Sequence, residues 1–192
     1  LYKGDGIVPN KKKASIYYKK AADKGSIDAM IKYADMNYKG EYININKKEA
    51  ARYYKMAADE GNVKAMNKYA TMLYEGDGIK MDKYDAADYY KKAADESDAE
   101  SILKYANMLY YGDTILMDKK EAAFYYEKIS YTNMNAMYMY GNMLYKGEGS
   151  LKQEKWRASY KYRSAAKKGH AGAMYSYAKM LYKGDGITKN EY

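Results

Sequence analysis

The stretch Asn62–Asp95, NVKAMNKYATMLYEGDGIKMDKYDAADYYKKAAD, decides the fold of this 192-residue chain. Its first half sets Ala65, Tyr69 and Leu73 at i, i+4, i+8, with Met66 and Ala70 beside them, the apolar spacing of one amphipathic helix face. Gly76 stops that helix, because the residue after a helix end often takes a left-handed geometry that glycine adopts without a Cβ penalty. A polar loop follows, and Asp82 stands where the N-cap of a second helix is wanted. That second helix buries Ala86, Tyr89, Tyr90, Ala93 and Ala94. Small residues let helices approach closely, and the rings fill the space between them.

Working outward, the same unit recurs every 36 residues. Alanine pairs fall at Ala21-Ala22, Ala57-Ala58, Ala93-Ala94 and Ala165-Ala166, with Ile129-Ser130 in the degenerate copy. Glycines keep step at Gly4, Gly40, Gly76, Gly112, Gly147 and Gly184, and tyrosine pairs at Tyr17-Tyr18, Tyr53-Tyr54, Tyr89-Tyr90 and Tyr125-Tyr126. A period of this length marks a solenoid, in which each unit contacts mainly its neighbours. The register predicts first helices over 27–39, 63–75, 98–111, 134–146 and 171–183, and second helices over 11–24, 47–60, 83–96, 119–131 and 155–168. Asn10, Asn46 and Asp118 share the N-cap column of Asp82. The copy near Ser130–Asn135 is one residue short and the Gly147–Arg157 loop one residue long, so the fourth and fifth units are where irregularity is expected. The expected architecture is an all-α solenoid of about five 36-residue helix-turn-helix repeats, one continuous array over 1–192. Both ends fall inside a repeat, so the chain reads as a fragment with apolar surface at its ends (Leu1, Tyr2, Tyr177, Leu181).

Composition alone points the other way. Leu, Ile, Val and Phe number 22 and the net charge is +9, which leans towards disorder. Tyr (28) and Met (14) supply the missing apolar surface, and they fall in columns, which a disordered chain would not arrange. There is no Cys, so no disulfide or thiolate metal site is available. No apolar run approaches the roughly 18 residues that span a membrane, and no signal peptide or glycosylation sequon is visible. A cytoplasmic location is the expectation from these features.

Reactive constellations are missing. Gly-Asp-Gly at 4–6, 76–78 and 184–186 follows a helix and precedes a loop, the reverse of a phosphate loop, so it reads as a helix stop. His170 is the only histidine and follows a turn glycine; it supports neither a metal site nor a catalytic triad and reads as a surface residue. Trp156 reads as a packing residue. No enzymatic activity and no cofactor are expected.

Two surfaces remain as binding candidates. Leu151–Lys168 carries Lys152, Lys155, Arg157, Lys161, Arg163, Lys167 and Lys168 against Glu154 alone, which is +6 of the net +9. This is either a solvated helix face or a basic patch (Lys155, Arg157, Lys161, Arg163, Lys167, Lys168) for an acidic partner. Charges balance elsewhere, so general nucleic-acid binding is not expected. The second surface is a column of tyrosines, Tyr38, Tyr74, Tyr110, Tyr145 and Tyr182, near the end of each first helix. It shares a face with Asn67 and Thr71, with Leu103 and Asn107, with Tyr138 and Asn142, and with Tyr175 and Lys179. Asn amides can bond a peptide backbone, and Tyr offers contact area with few rotors to freeze. These tyrosines read equally as groove residues or as packing between repeats with hydroxyls at the rim.

The motif Ala65, Ala70, Gly76, Gly78, Ile79, Asp82, Ala86, Tyr89-Tyr90, Lys92, Ala93-Ala94 resembles the Sel-one-like repeat, a relative of the tetratricopeptide repeat. The likeness covers essentially the whole chain. Departures are Tyr33, Tyr69, Tyr105, Tyr140 and Tyr177 for the usual Leu, and Leu73, Leu109, Leu144 and Leu181 for the usual Tyr. The resemblance implies a right-handed α-superhelix and a non-enzymatic scaffold that binds proteins or peptides through its concave groove. On the related tetratricopeptide superhelix, the tyrosine column and its neighbours would match peptide-contacting positions. The same resemblance leaves open an adaptor of a ubiquitin-ligase or quality-control complex, or a regulatory segment of a larger enzyme such as a kinase. A secreted, disulfide-bearing subgroup exists, and the lack of Cys separates this chain from it.

Overall fold

A computed structural model gives the structure and describes residues 10–186. Gly4, Gly6, Leu1 and Tyr2 lie outside them. The described residues form ten α-helices and no strand: α1 (Lys11–Ala22), α2 (Ile27–Lys39), α3 (Lys47–Asp59), α4 (Val63–Glu75), α5 (Lys83–Asp95), α6 (Ala99–Tyr111), α7 (Lys119–Ile129), α8 (Met134–Lys146), α9 (Lys155–Lys167) and α10 (Ala171–Lys183). Even-numbered helices are the first and odd-numbered the second members of the repeats. The fold is an all-α helical repeat, solenoid-like in its pairing of successive helices, and every helix end falls within two residues of the register read from the sequence. Two compact units divide between Asp98 and Ala99.

Both turn types follow from the repeating residues. After each first helix a glycine turns left-handed, at φ +72 for Gly40, +69 for Gly76 and +73 for Gly147. The next N–H then reaches back to the helix, as from Asp77 to Met72 O at 3.0 Å and from Glu148 to Met143 O at 3.0 Å. The loop closes where the cap residue's N–H bonds the same helix, Asp82 to Leu73 O and Asn46 to Asn37 O, both 2.9 Å. Asn10, Asn46, Asp82 and Asp118 all accept N-cap hydrogen bonds through their side chains. Glu154, at the end of the longer loop, makes no such bond. The short turn back hangs on the alanine pair: Gly61 N–H donates to Ala58 O and Asn62 N–H to Ala57 O. Ala57 and Ala58 are thus both a close helix contact and the anchor of the next turn.

The core is tyrosine-rich, and its hydroxyls have assigned partners. In the first unit, Tyr53 and Tyr54 are buried among Ala22, Met30, Ala50, Ala57 and Met66. In the first unit the outer member of a pair bonds the end of the preceding second helix, Tyr53 to Asp23 and Tyr89 to Asp59 at 2.6 Å. Outer members also receive the edge of a first-helix ring, Tyr33 on Tyr53 at 4.9 Å, Tyr69 on Tyr89 at 5.0 Å and Tyr105 on Tyr125 at 5.2 Å. Burial and the Asp59 bond push the Tyr89 hydroxyl up to about 12.

The irregularity expected in the fourth and fifth units takes a specific chemical form. Lys161 stands in the column of Tyr53 and Tyr89, and Tyr131 in the column of their acceptors Asp23 and Asp59. Donor and acceptor have both changed, and the pair persists: Lys161 Nζ lies 4.0 Å from the Tyr131 ring centroid and 5.6 Å from that of Tyr140. Ser130, where other copies have alanine, adds an acceptor, with Lys161 Nζ 2.8 Å from its Oγ and 3.2 Å from its carbonyl. Burial pulls the Lys161 ammonium below its ordinary range. Gly141 makes room, since a Cβ there would lie 3.0 Å from Tyr162 and 3.4 Å from Lys161.

Candidate functional site: the first-helix face

Three copies of the tyrosine column, Tyr38, Tyr110 and Tyr145, each belong to a three-residue cluster. Tyr110 donates its hydroxyl to Glu148 at 2.7 Å, and Lys119, the first residue of α7, reaches the other oxygen of that carboxylate at 2.8 Å. Lys119 also lies over the Tyr110 ring, 4.9 Å from its centroid. The same cluster is built by Tyr38, Lys47 and Asp77, and by Tyr145, Lys155 and Asp185. Tyr74 carries Lys83 over its ring at 4.8 Å. The acid is the middle residue of the Gly-Asp-Gly motif or its equivalent. The motif therefore does more than stop a helix: its acid reaches the preceding repeat.

The lysine bond holds the Asp77 and Asp185 carboxyls below the ordinary carboxylate range, with the tyrosine hydroxyls adding to it. Burial pushes Glu148 up, but its bonds to Lys119 and Tyr110 outweigh this and the net shift is down. The second motif glycine is set by the same contact. At Gly149 (φ +65) a Cβ would lie 2.3 Å from Lys119 O, and at Gly78 (φ +79) 2.2 Å from Lys47 Cβ.

The polar residues beside the column have their own inner duty. The buried Tyr126 and Tyr162 donate to Asn107 Oδ1 and Asn142 Oδ1 at 2.7 and 2.8 Å, and Tyr90 shares a hydrogen bond with Thr71 Oγ1 at 2.9 Å. Tyr54 uses Asp35 in the same way. Each asparagine spends its carbonyl on the core, and its amide N–H groups take no part in that bond. Asn67 donates to Asp98, and Tyr138 stacks on His170 with centroids 4.4 Å apart. His170 is more than a surface residue, since its Nδ1 also caps α10 by accepting from Ala173 N–H. Leu103 is half-buried, Tyr175 is exposed and Tyr182 is 93 % exposed.

In the second unit this face opens into a cleft of about 180 Å³ between α8 and α10. Asn142, Tyr145 and Lys146 line it from α8, and Tyr162 reaches it from α9. Tyr175, Lys179 and Lys183 line it from α10, with Asp185 at one end. The first unit has a cleft at the same register, of about 120 Å³, with Tyr18, Asp35, Lys39 and Glu41 in the equivalent places.

The basic segment divides. Arg163, Lys167 and Lys168 are exposed. Lys155 is bound to Asp185, Arg157 to Glu154 at 3.2 Å and to Glu127 at 3.8 Å, and Lys161 is 6 % exposed inside the packing. Trp156 corrects an expectation: it is 65 % exposed and packs nothing inside. It stands at the second position of α9, in the column of Lys12, Lys48 and Lys120, and that column of exposed lysines was the available signal. Among the described residues no helix is long and apolar enough to cross a membrane.

Successive paired helices over a core whose tyrosine hydroxyls are paired internally define a helical-repeat protein. The chain belongs to the Sel1 repeat family, which matches residues 1–26, 27–62, 63–98, 99–130, 135–170 and 171–192. Proteins of this family are generally non-catalytic scaffolds for protein interactions. Solved structures with the same fold include a protective antigen of uropathogenic Escherichia coli strains that displays an SLR fold. It has 24% identity and a TM-score of 0.86, and the match covers 95% of this chain and 39% of that one. A Sel1 repeat protein from Oxalobacter formigenes matches with 24% identity and a TM-score of 0.80, over 91% of this chain and 77% of its own. Helicobacter pylori cysteine rich protein B matches with 21% identity and a TM-score of 0.53, over 69% of this chain and 97% of its own. This chain thus spans well under half of the Escherichia coli protein's length. No curated protein sequence matches it significantly.

Proposed function

We propose that the chain is a non-enzymatic scaffold that holds a peptide segment of a partner protein along the faces of its first helices. In the first unit the contact residues are Asn67, Thr71 and Tyr74. In the second they are Leu103, Asn107 and Tyr110 on α6, and Tyr138, Asn142 and Tyr145 on α8. The observation that carries this reading is the cleft between α8 and α10, into which Asn142 and Tyr145 both project. With its carbonyl committed to Tyr162, Asn142 has amide donors suited to a peptide carbonyl. The tyrosine clusters contribute by fixing the rings, so that little side-chain freedom is lost on binding.

Asn142→Asp tests this. Aspartate keeps the acceptor that Tyr162 needs, as Asp35 does for Tyr54, and removes the amide donor. Peptides selected on the parent protein from a random display library should bind Asn142→Asp and Asn107→Asp at least tenfold more weakly, about 1.4 kcal/mol, with helical content unchanged. Undiminished binding by both variants would move the binding surface to another face.

A further inference from the structure

The two clefts share a register but differ in charge. In the first unit two lysines, Lys32 and Lys39, line the cleft with two carboxylates, Asp35 and Glu41; Lys68 binds Asp35 and Lys39 lies 3.7 Å from Glu41, so the lining charges there balance. In the second unit Lys146, Lys179 and Lys183 all line the cleft, and its one carboxylate, Asp185, is already bound by Lys155 and by the Tyr145 hydroxyl. Among the described residues none of the three lysines has an ion-pair partner. The substitution responsible is local: Lys179 occupies the column held by Asp35, Thr71, Asn107 and Asn142 in the other copies. Three like charges raise the local potential, and although Lys146 and Lys183 act at longer range on Glu148 and Asp185, none of the three is held in a direct ion pair among the described residues.

We infer that the cleft between α8 and α10 takes an acidic peptide segment, with Asp or Glu side chains meeting Lys146, Lys179 and Lys183 while Asn142 bonds the backbone. This rests on the reading that the first-helix face binds peptides, and it adds the chemistry of the partner. The size of the cleft favours a peptide carboxylate over a nucleotide. At about 180 Å³ it is smaller than the roughly 300–1,000 Å³ of sites that enclose a whole small molecule. It matches a side chain entering from an extended backbone. Lysine ammoniums are point charges on flexible stems, which suits carboxylates at variable spacing.

The probe is a fluorescein-labelled octapeptide with glutamate at alternate positions, compared with its glutamine counterpart by anisotropy. The glutamate peptide should bind at least tenfold more tightly, weaken steeply as salt rises, and lose about tenfold in Lys146→Gln/Lys179→Gln/Lys183→Gln. All three lysines are exposed, so the triple variant should keep the parent's unfolding midpoint. Equal binding of the two peptides, with both lost in Asn142→Asp, overturns the acidic chemistry and leaves the peptide-binding face standing. Glutamate-peptide binding that survives the triple variant but is lost in Arg163→Glu/Lys167→Glu assigns the anion to the outer face of α9 and overturns the inference. Tighter binding of a single-stranded oligonucleotide, itself lost in the triple variant, overturns it in favour of nucleic acid. Binding of neither peptide at millimolar concentration overturns both readings.

Discussion

Replacing Glu148 with glutamine removes the charge at the centre of the Tyr110–Glu148–Lys119 cluster while keeping its shape. The Tyr110 hydroxyl lies 2.7 Å from one carboxylate oxygen, and a hydrogen bond to a charged group contributes about 1.5–3 kcal/mol. The Lys119 ion pair, with side chains 34% and 22% exposed, adds about 0.2–1 kcal/mol after solvent screening. Glutamine keeps one neutral acceptor worth about 1 kcal/mol, so the net loss is about 0.7–3 kcal/mol, or roughly 2–10 °C in unfolding midpoint. Urea unfolding followed by circular dichroism and by the fluorescence of Trp156 is the assay. Trp156 is the only tryptophan and belongs to the same unit as Glu148, so its signal reports on that unit.

The pH dependence carries the sharper test. Glu148 is held below its ordinary pKa in the folded state, so its contribution is present above the ordinary carboxylate range and is lost as pH falls through the folded value. The parent and Glu148→Gln should therefore differ at neutral pH and converge as pH falls through the folded value, which lies below the ordinary carboxylate range. Tyr110→Phe in the Glu148→Gln background should cost less than in the parent, because the two act through one bond. A glutamine variant within about 0.3 kcal/mol of the parent at neutral pH, or a difference from the parent that does not shrink as pH is lowered, would refute the reasoning.

Two further substitutions examine the loop that carries this acid. Gly149→Ala should destabilise by about 3 kcal/mol or more, because left-handed strain adds to a Cβ 2.3 Å from Lys119 O; Gly61→Ala, with φ +86 and no atom within 4 Å, should cost only the strain of about 1–2 kcal/mol. Chemical denaturation of the two variants side by side checks the difference. Thr114 holds φ +81 in the column of Gly78 and Gly149, a poor conformation for a β-branched residue, so Thr114→Gly should raise stability by about 1 kcal/mol, and a loss instead would show that its contacts outweigh the strain.

The helices were legible because their ends are written in residue types with one physical purpose. Gly76 supplies a positive φ, Asp82 an acceptor for N–H groups, and Ala93-Ala94 a close approach. Contacts between repeats were not legible in the same way. Periodicity puts Tyr38, Lys47 and Asp77 in columns, but which columns meet depends on how one repeat stacks on the next. The signal was present as a co-occurrence: a tyrosine, a lysine nine or ten residues later, and an acid about thirty residues beyond that. Lys161 and Trp156 were misplaced for a related reason. A charge count over Leu151–Lys168 assumes that every cation faces solvent, whereas helix phase turns Lys161 inward, where Tyr131 and Ser130 receive it, and turns Trp156 outward.

The tyrosine core also explains how the first-helix face can vary its surface chemistry without endangering the fold. Each buried ring at Tyr54, Tyr90, Tyr126 and Tyr162 brings a hydroxyl that must be satisfied, and the partner comes from one column of the first helices. That column needs an oxygen and little else. Asp35, Thr71, Asn107 and Asn142 all provide one, yet beside it they carry an anion, a methyl group and an amide donor respectively, the last in two copies. The inner requirement fixes one atom of the side chain, and the chemistry beside it is open to choice. Substitution among Asp, Asn and Thr at this column should therefore change ligand preference while leaving stability nearly constant. Substitution to Ala or Leu strands a buried hydroxyl and should cost about 1–3 kcal/mol. If Asn142→Asp and Asn142→Ala destabilise equally, the column is not the acceptor for Tyr162, and the separation of fold from recognition along this face does not hold.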